Sequence, residues 1–541
     1  MRGLFPLSPF FPFFNDGLRR LMGLLIGWAG TPMEILHWVR MVTYPYSQKR
    51  LRRRYRIAED TPVLSYDAEL EEHIRGAAAR YSRAGFETRF ARTSGSTAAP
   101  KHILYTKFRM RSTRWMFIDS FVRAFRAYRV RRKSLYVFSA FEMDHSLTSM
   151  LREERRLPFY LVTLQAPYRV ERHPAIQDLA SRYGAVAVQL WVLVISNPGV
   201  IYCTNPSTLW LFLQEIAAKW RQSTQLIRDF QIRPEHFSAA VHNIARRLAS
   251  MGSAERVACI AVSDEPLSLS DLVPAVQAYM CWTGGYVKPF LNRLQSYLPA
   301  NRYQLIPMVS MSTETIETVG HYVRNNTQFL PMASGVLYEF IEEGARDCPG
   351  NLRSAEELRA MTAYTMVVSD SFGLRRYQTE DVFLCNGHFG KLPDLRFLSR
   401  RNLEYSFTGE KLSAEQLSHA FALLRDELLE LRGDVFLTCV PSLPLGDLLP
   451  HYKLLIVGGC DNVTLEICDA MVRRCDMLLQ EMNVEYGSKR QSGRLGKMGF
   501  ARLSFDDLIG RFGTENQFKF LPLYRRTWED LVREPAGVLC E

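Results

Sequence analysis

The stretch Thr93-Ser94-Gly95-Ser96-Thr97-Ala98-Ala99-Pro100-Lys101 decides how the rest of the chain is read. Four small hydroxyl residues and a glycine fall within five positions, and a lysine follows shortly after. Small side chains let the backbone approach an anion closely, so that N–H groups and hydroxyls point inward at it. The lysine adds a point charge that reaches phosphate. The segment therefore reads as a loop that cradles a nucleotide's phosphates. It is not the Walker pattern, because no G-x-x-x-x-G-K-[ST] occurs here. Taken alone, such a cluster is most often a plain surface loop.

Working outward, a chain of 541 residues is expected to hold two or more domains, or one large domain with a smaller partner. Its net charge of +12 suits anionic partners. The basic residues sit in short runs, Lys49-Arg50-Leu51-Arg52-Arg53-Arg54 and Arg129-Val130-Arg131-Arg132-Lys133, which read as solvated helix faces rather than nucleic-acid sites. The ten cysteines are scattered without a C-x-x-C pair. Neither a zinc site nor a disulfide framework is expected, which fits a reducing, cytoplasmic setting.

The N-terminus is apolar from Leu4 to Phe14 and again from Leu21 to Ala29, interrupted by Asn15, Asp16, Arg19 and Arg20. Neither run is long enough to span a bilayer, and the order of charges is poor for a signal peptide. An amphipathic helix packed on the body is favoured over a membrane-surface anchor.

Along the chain, Met33 to Ala91 reads as mostly helical and Phe108 to Tyr128 as a helix leaving the loop. Gly184 to Ile195 is a buried strand or helix, and Val257 to Val262 an apolar strand. Asn205 is expected to cap a helix from Thr208 to Lys219. Strands are expected at Tyr303–Val309 and Val336–Ile341, and a hairpin at Thr365–Val368 and Arg376–Cys385. After Lys411 helix and strand alternate in a way that suggests a small separate α+β unit. The expected division is 1–410 and 411–541.

Three further motifs follow the loop in order. Ser312-Thr313-Glu314 lies directly after a strand, where a carboxylate could hold Mg²⁺ against phosphates. Gly373 to Val382 places Asp381 on a strand, where it could accept both ribose hydroxyls. The tail carries two basic stretches, Ser488 to Gly496 and Gln517-Phe518-Lys519.

Together these motifs resemble the acyl-adenylate-forming ligases, and more closely the auxin-responsive acyl acid amido synthetases. Thr93 to Thr97 matches that family's phosphate loop, and Lys101 to Thr106 its K-x-I-P-Y-T continuation. Ser310-Met311-Ser312-Thr313-Glu314 matches Y-x-S-[ST]-E, and Tyr338-Glu339-Phe340-Ile341 matches F-E-F-I. Gly373 to Val382 matches G-L-Y-R-Y-R-x-G-D-V. Leu395 to Arg401, Glu410-Lys411-Leu412, Val484 to Arg490 and Asn516 to Lys519 match the run into the hinge and the tail. The sequence departs from the pattern at Leu104, Ser310, Arg375, Gln378 and Glu380. Ser310 replaces an aromatic that would stack on adenine, and Glu380 replaces a glycine.

The resemblance implies an α/β fold with a large adenylate-forming domain of mixed sheets and a barrel-like part, followed by a small mobile α+β domain. It implies ATP and Mg²⁺, a small carboxylic acid as acyl substrate and an amine or amino acid as acceptor. Ser94, Gly95, Ser96 and Thr97 would contact phosphates, Ser312 and Thr313 would lie beside them, and Glu314 would hold the metal. Tyr377 and Asp381 would bind the nucleoside, and Lys411 would sit at the hinge. Lys519, with Lys489 in reserve, would meet charge developing on the transferring group, and Thr313 would lie beside the α-phosphate. Phe138 to Ser149, the Trp191 region and Met308 to Val319 would form the acyl pocket. Coenzyme A or a hydroxyl acceptor, a non-catalytic binding protein on a decayed site and a nucleic-acid binder are the rival readings.

Overall fold

The computed structural model describes residues 10–92, 101–138, 165–166, 170, 173–284, 287–401, 404–407, 410, 412–427, 435–444, 449–458, 463–512 and 520–533. Its α/β character matches the sequence reading. Two helices, α1 (Phe10–Val42) and α2 (Tyr44–Arg54), open the chain, and α3 (Ala68–Arg83) follows, capped by the Asp67 side chain on Leu70 N. Strands β1 (Thr88–Arg92) and β2 (His102–Thr106) pair antiparallel, Arg92 opposite His102. Helix α4 (Lys107–Ala127) leaves β2 directly, capped by the Thr106 hydroxyl on Arg109 N.

The central layer is a five-stranded parallel sheet in the order β4-β3-β5-β6-β7. Its strands are β3 (Leu135–Val137), β4 (Gln165–Ala166), β5 (Val200–Tyr202), β6 (Ala278–Cys281) and β7 (Gln304–Pro307). Parallel sheets need cover on both faces, which is why β5 and β6 are buried at every position. Loops at the carboxyl ends of such strands are where ligands bind, and the 308–318 segment leaves β7 at that edge.

A second sheet is antiparallel, in the order β11-β10-β12-β13-β14: β10 (Leu337–Glu342), β11 (Leu352–Arg353), β12 (Thr362–Ser369), β13 (Tyr377–Phe389) and β14 (Leu392–Arg400). The short pair β8 (Val319–His321) and β9 (Gln328–Leu330) lies between the two sheets in sequence. The expected hairpin is present as β12 and β13, and the expected strand at Val336–Ile341 as β10.

The expected strand at Val257–Val262 is instead the end of a helix, Ser253–Val262. Ser253, Val257, Ile260 and Ala261 are its buried positions, a spacing of three to four residues rather than two. The ambiguous run after Gly184 is also a helix, Ala185–Ser196, buried nearly all round. Trp191 lies at its centre, completely buried against Phe230, so it belongs to the core and not to a pocket. Asn205 does cap the following helix, which starts earlier than expected, at Pro206. Proline at the first helical position lacks only an N–H that would be unpaired there anyway.

Beyond β15 (Glu404–Tyr405) and β16 (Leu412–Ser413) come a helix Ala414–Glu427 and the sheet β17-β18-β19: β17 (Phe436–Ser442), β18 (His451–Val457) and β19 (Gly499–Leu503). This part shares a core with the body. Phe436 is fully buried and its ring lies 4.8 Å from Trp210 and 4.9 Å from Phe290, with Arg293 3.6 Å above it. Arg293 also donates to the Val435 carbonyl.

The N-terminal helix is present, but it packs the opposite way round from an ordinary amphipathic helix. Asn15, Asp16, Arg19 and His37 are buried, while Leu24, Trp28 and Val42 are exposed.

Candidate active site

The loop expected to cradle phosphates joins β1 to β2. Ser94, Gly95, Ser96 and Thr97 lie outside the described residues, but both feet of the loop are placed by the hairpin register. Arg109, in the first turn of α4, ties the second foot to the rest of the site. Its guanidinium donates to the Leu104 carbonyl at 2.9 Å and to the Glu314 carbonyl, and lies 3.4 Å from the Asp370 carboxylate. It is stacked over the rings of Tyr105 and Phe372. The Tyr105 hydroxyl donates to the Thr313 carbonyl at 2.9 Å. Strand β2 and the start of α4 thus grip the Ser312-Thr313-Glu314 turn through two backbone carbonyls.

That turn closes between Met311 and Ile316, which form an isolated antiparallel bridge. Ser312 N donates to the Thr315 carbonyl at 3.0 Å, and Thr315 N donates back to the Ser312 hydroxyl at 3.3 Å. Geometry of this kind turns Glu314 inward, and its carboxylate is almost completely buried. Oε1 of Glu314 accepts no hydrogen bond. It faces two cations, Lys101 Nζ at 3.9 Å and Arg400 Nη2 at 4.0 Å.

The antiparallel sheet supplies the other half. Lys101 Nζ donates to the Tyr377 hydroxyl at 3.0 Å and lies 3.6 Å from Glu380. Asp381 stands opposite Arg400 in the β13–β14 register, with Arg400 Nε 3.7 Å from Asp381 Oδ1 and 3.6 Å from Glu380 Oε2. Burial works against the charge on Arg400, but Asp381, Glu314 and Glu380 outweigh it and its pKa is raised. The guanidinium is therefore permanently charged. The site brings together Lys101, Glu314, Tyr377, Glu380, Asp381 and Arg400 from four segments of the chain.

Behind Asp381 lies a second carboxyl group. Glu317 is buried beside Asp381, and the Ser310 hydroxyl donates to it. Burial, and then the negative charge of Asp381, push the Glu317 pKa well above the usual range. That direction favours the protonated Glu317 carboxyl, the form that can donate to the Asp381 carboxylate. Ser310, which stands where an aromatic was expected, serves this pair.

Lys411 and Lys519 lie outside the described residues. Lys489, on the helix Val484–Gln491, forms an ion pair with Glu485 of the same helix at 3.2 Å, and no hydrogen bond or ion pair among the described residues joins it to the cluster. Arg109, Glu317 and Arg400 went unassigned in the sequence. Only Arg400 carried a usable signal: a basic residue at the end of the strand after the Asp381 strand falls opposite Asp381 once the hairpin is drawn.

Among the described residues no group of three or more His, Cys, Asp or Glu is arranged to hold a metal ion. Glu314 Oε1, buried and accepting no hydrogen bond, nevertheless fits Mg²⁺, which takes one or two protein carboxylates and completes its shell with phosphate oxygens and water.

Residues 82–302 match the GH3 family N-terminal domain and residues 329–400 the GH3 family central domain, together more than half of the chain. The chain belongs to the GH3 family. Lys101 and Arg109 lie in the first match, Tyr377, Asp381 and Arg400 in the second, and Glu314 between them. A probable indole-3-acetic acid-amido synthetase GH3.11 of Oryza sativa subsp. japonica is 22% identical over 229 residues, 38% of this chain and 37% of the relative. The indole-3-acetic acid-amido synthetase GH3.8 of Oryza sativa subsp. indica is 26% identical over 168 residues, 29% of this chain and 27% of the relative. In these matches the GH3 chain thus spans about a third of the length of its curated relatives or less. The solved AtGH3.15 acyl acid amido synthetase in complex with 2,4-DB shares the fold, with a TM-score of 0.66 over 87% of this chain and 86% of that one, at 15% identity.

Proposed function

We propose that this GH3 protein is an ATP-dependent acyl acid amido synthetase. It would activate a carboxylic acid as an acyl-adenylate and pass the acyl group to an amine, an amino acid by analogy with its named relatives. The observation that carries the reading is the cluster of Lys101, Glu314, Asp381 and Arg400 at the foot of the Thr93–Lys101 loop.

In the first half-reaction a carboxylate oxygen attacks the α-phosphorus, the new O–P bond forms, and pyrophosphate leaves with the electron pair of the broken bond. In the second, the amine attacks the acyl carbon, the C–O bond to AMP breaks, and the amine gives up its proton. Both steps move negative charge between oxygens, so fixed cations and correct positioning do most of the work. Lys101 and Arg400 supply positive charge beside the Glu314 carboxylate. Asp381 accepts the ribose hydroxyls and Tyr377 lines the nucleoside side. Ser94, Gly95, Ser96 and Thr97 contact the phosphates, with Ser312 and Thr313 beside them. Mg²⁺ held at Glu314 would draw off charge from the phosphate oxygens.

Lys519, with Lys489 as the alternative, is assigned to the transferring group, and Lys411 to a hinge between a large unit, 1–410, and a small one, 411–541. The enzyme is placed in the cytoplasm, where the buried thiols of Cys203, Cys281 and Cys439 stay reduced. The test is product analysis by mass spectrometry after incubation with ATP, Mg²⁺ and a panel of carboxylic acids, each offered mixed amino acids or coenzyme A. Amide products support the reading, and thioester products alone would replace it with a thioester-forming ligase.

A further inference from the structure

Helix α1 binds the body through its polar side. Asn15 Nδ2 donates to the carbonyls of Arg246 at 2.8 Å and Ala249 at 2.9 Å. Asp16 accepts from Met251 N at 2.9 Å and pairs with Arg19 at 2.8 Å and Arg132 at 3.1 Å. Lys133 Nζ caps the Gly23 carbonyl, Arg126 donates to the Thr31 hydroxyl, and His37 stacks on His321. The opposite side is apolar and exposed. Leu21, Trp28, Ile35 and Val42 recur every seven residues, flanked by Leu24 and Leu25, and Trp28 is 86% exposed. A surface helix ordinarily buries its apolar stripe, so this one is inverted.

The stripe has a charged end. Hydrogen bonds from Thr43 N to the Val39 carbonyl and from Ser47 N to the Thr43 carbonyl carry the helical path from α1 into α2. Lys49 falls seven residues after Val42, and Lys49, Arg50 and Arg53 are exposed. Between Gly17 and Arg54 there are eight lysines and arginines and a single acid, Glu34. No helix among the described residues is long and apolar enough to cross a membrane. A helix of this length, about 50 Å at 1.5 Å per residue, can instead lie along one.

We propose that α1 and α2 seat the protein in the plane of an anionic lipid surface. The apolar stripe would enter the headgroup–acyl boundary, Trp28 would sit at the interface it prefers, and Lys49, Arg50 and Arg53 would meet lipid phosphates. Charge decides between this occupant and a second copy of the chain. A second copy would offer those eight cations a single acid, Glu34, in either direction of pairing, whereas an acidic lipid surface neutralises them. The inference does not depend on which reaction the site performs.

The test is co-sedimentation of the full chain with vesicles of phosphatidylcholine alone or mixed with phosphatidylserine. Binding to the phosphatidylserine vesicles, weakened by salt, is the expected result. L24S/W28S lowers partitioning about tenfold or more. Reversing Lys49, Arg50 and Arg53 to glutamate lowers it about fivefold per residue, and only for anionic vesicles. All five side chains point to solvent, so the circular-dichroism spectrum of each variant matches the parent. The salt and lipid dependence of the unmodified protein stands as evidence independent of the variants. Failure to sediment with either vesicle overturns the proposal. So does a vesicle-free dimer, seen by sedimentation velocity, that L24S/W28S dissociates.

Discussion

Glu380 holds its carboxylate 3.6 Å from Lys101 Nζ while its own backbone sits at φ 66. That left-handed conformation costs a residue with a Cβ about 1 kcal/mol or more. The strain is tolerated where the β13 strand is irregular, with Arg401 N donating to the Glu380 carbonyl at 2.7 Å. Glycine at this position should remove the strain and a carboxylate that competes with phosphate for Lys101. Comparing E380G with E380A isolates the backbone effect, since both lose the ion pair. E380G should be more stable than E380A by about 1 kcal/mol in chemical denaturation, and its KM for ATP should fall below that of the parent.

Glu339 and Arg376 form a buried two-contact ion pair, with Nε and Nη2 of Arg376 each 3.0 Å from a Glu339 oxygen. Arg376 also donates to the carbonyls of Glu59 and Thr61, and Arg52 reaches Glu339 from α2. The pair anchors the bend that enters β13, just before Tyr377 and Asp381. E339A leaves the Arg376 charge buried without its carboxylate and should cost about 3–5 kcal/mol in denaturant unfolding.

Glu317 carries a proton in the fold that the unfolded chain releases above its ordinary carboxyl pKa of 4.5. The folded protein therefore binds more protons than the unfolded one between that value and the raised folded value. Its contribution to stability is full below 4.5 and is lost as pH rises through the folded value. The groups facing it are Asp381, Ser310, Ser312 and Tyr338. E317Q keeps a donor to Asp381 with no proton to lose. Thermal unfolding across pH should show the parent declining relative to E317Q as pH rises, and a constant difference would contradict the assignment.

The fold class, the order of the motifs, the Asn205 cap and the β12–β13 hairpin were legible because each rests on local pattern or on motif order. The Ser253–Val262 helix was not, because Val257 to Val262 taken alone is an apolar run with no visible period. The site was half legible. Glu314, Tyr377 and Asp381 announced themselves by motif, and Lys101 as the charge beside the loop. Arg109 and Glu317 act through buried contacts made by distant strands, and no spacing in the sequence points to them. The inverted packing of α1 was hidden for the same reason: its polar side chains are bonded to carbonyls in the last turn of the helix Ala239–Leu248, more than two hundred residues away.

Phe436 joins the chain after residue 412 to the body through Trp210, Phe290 and Arg293. A swing of everything beyond Lys411 would have to open this contact. F436A should destabilise the protein by about 3–5 kcal/mol, measured by denaturant unfolding. It should also increase proteolytic cleavage near the 411 boundary if the two units part there.

The most direct measurement is acid-dependent pyrophosphate release from ATP, comparing the parent with D381A and E314Q. The account predicts release only when a suitable carboxylic acid is present. D381A should raise the KM for ATP and lower kcat/KM about 100-fold or more, and E314Q should lower kcat with a loss of comparable size. Release that continues unchanged in both variants would contradict the placement of the active site at this cluster. No release with any acid, together with no ATP binding, would contradict the proposed function itself.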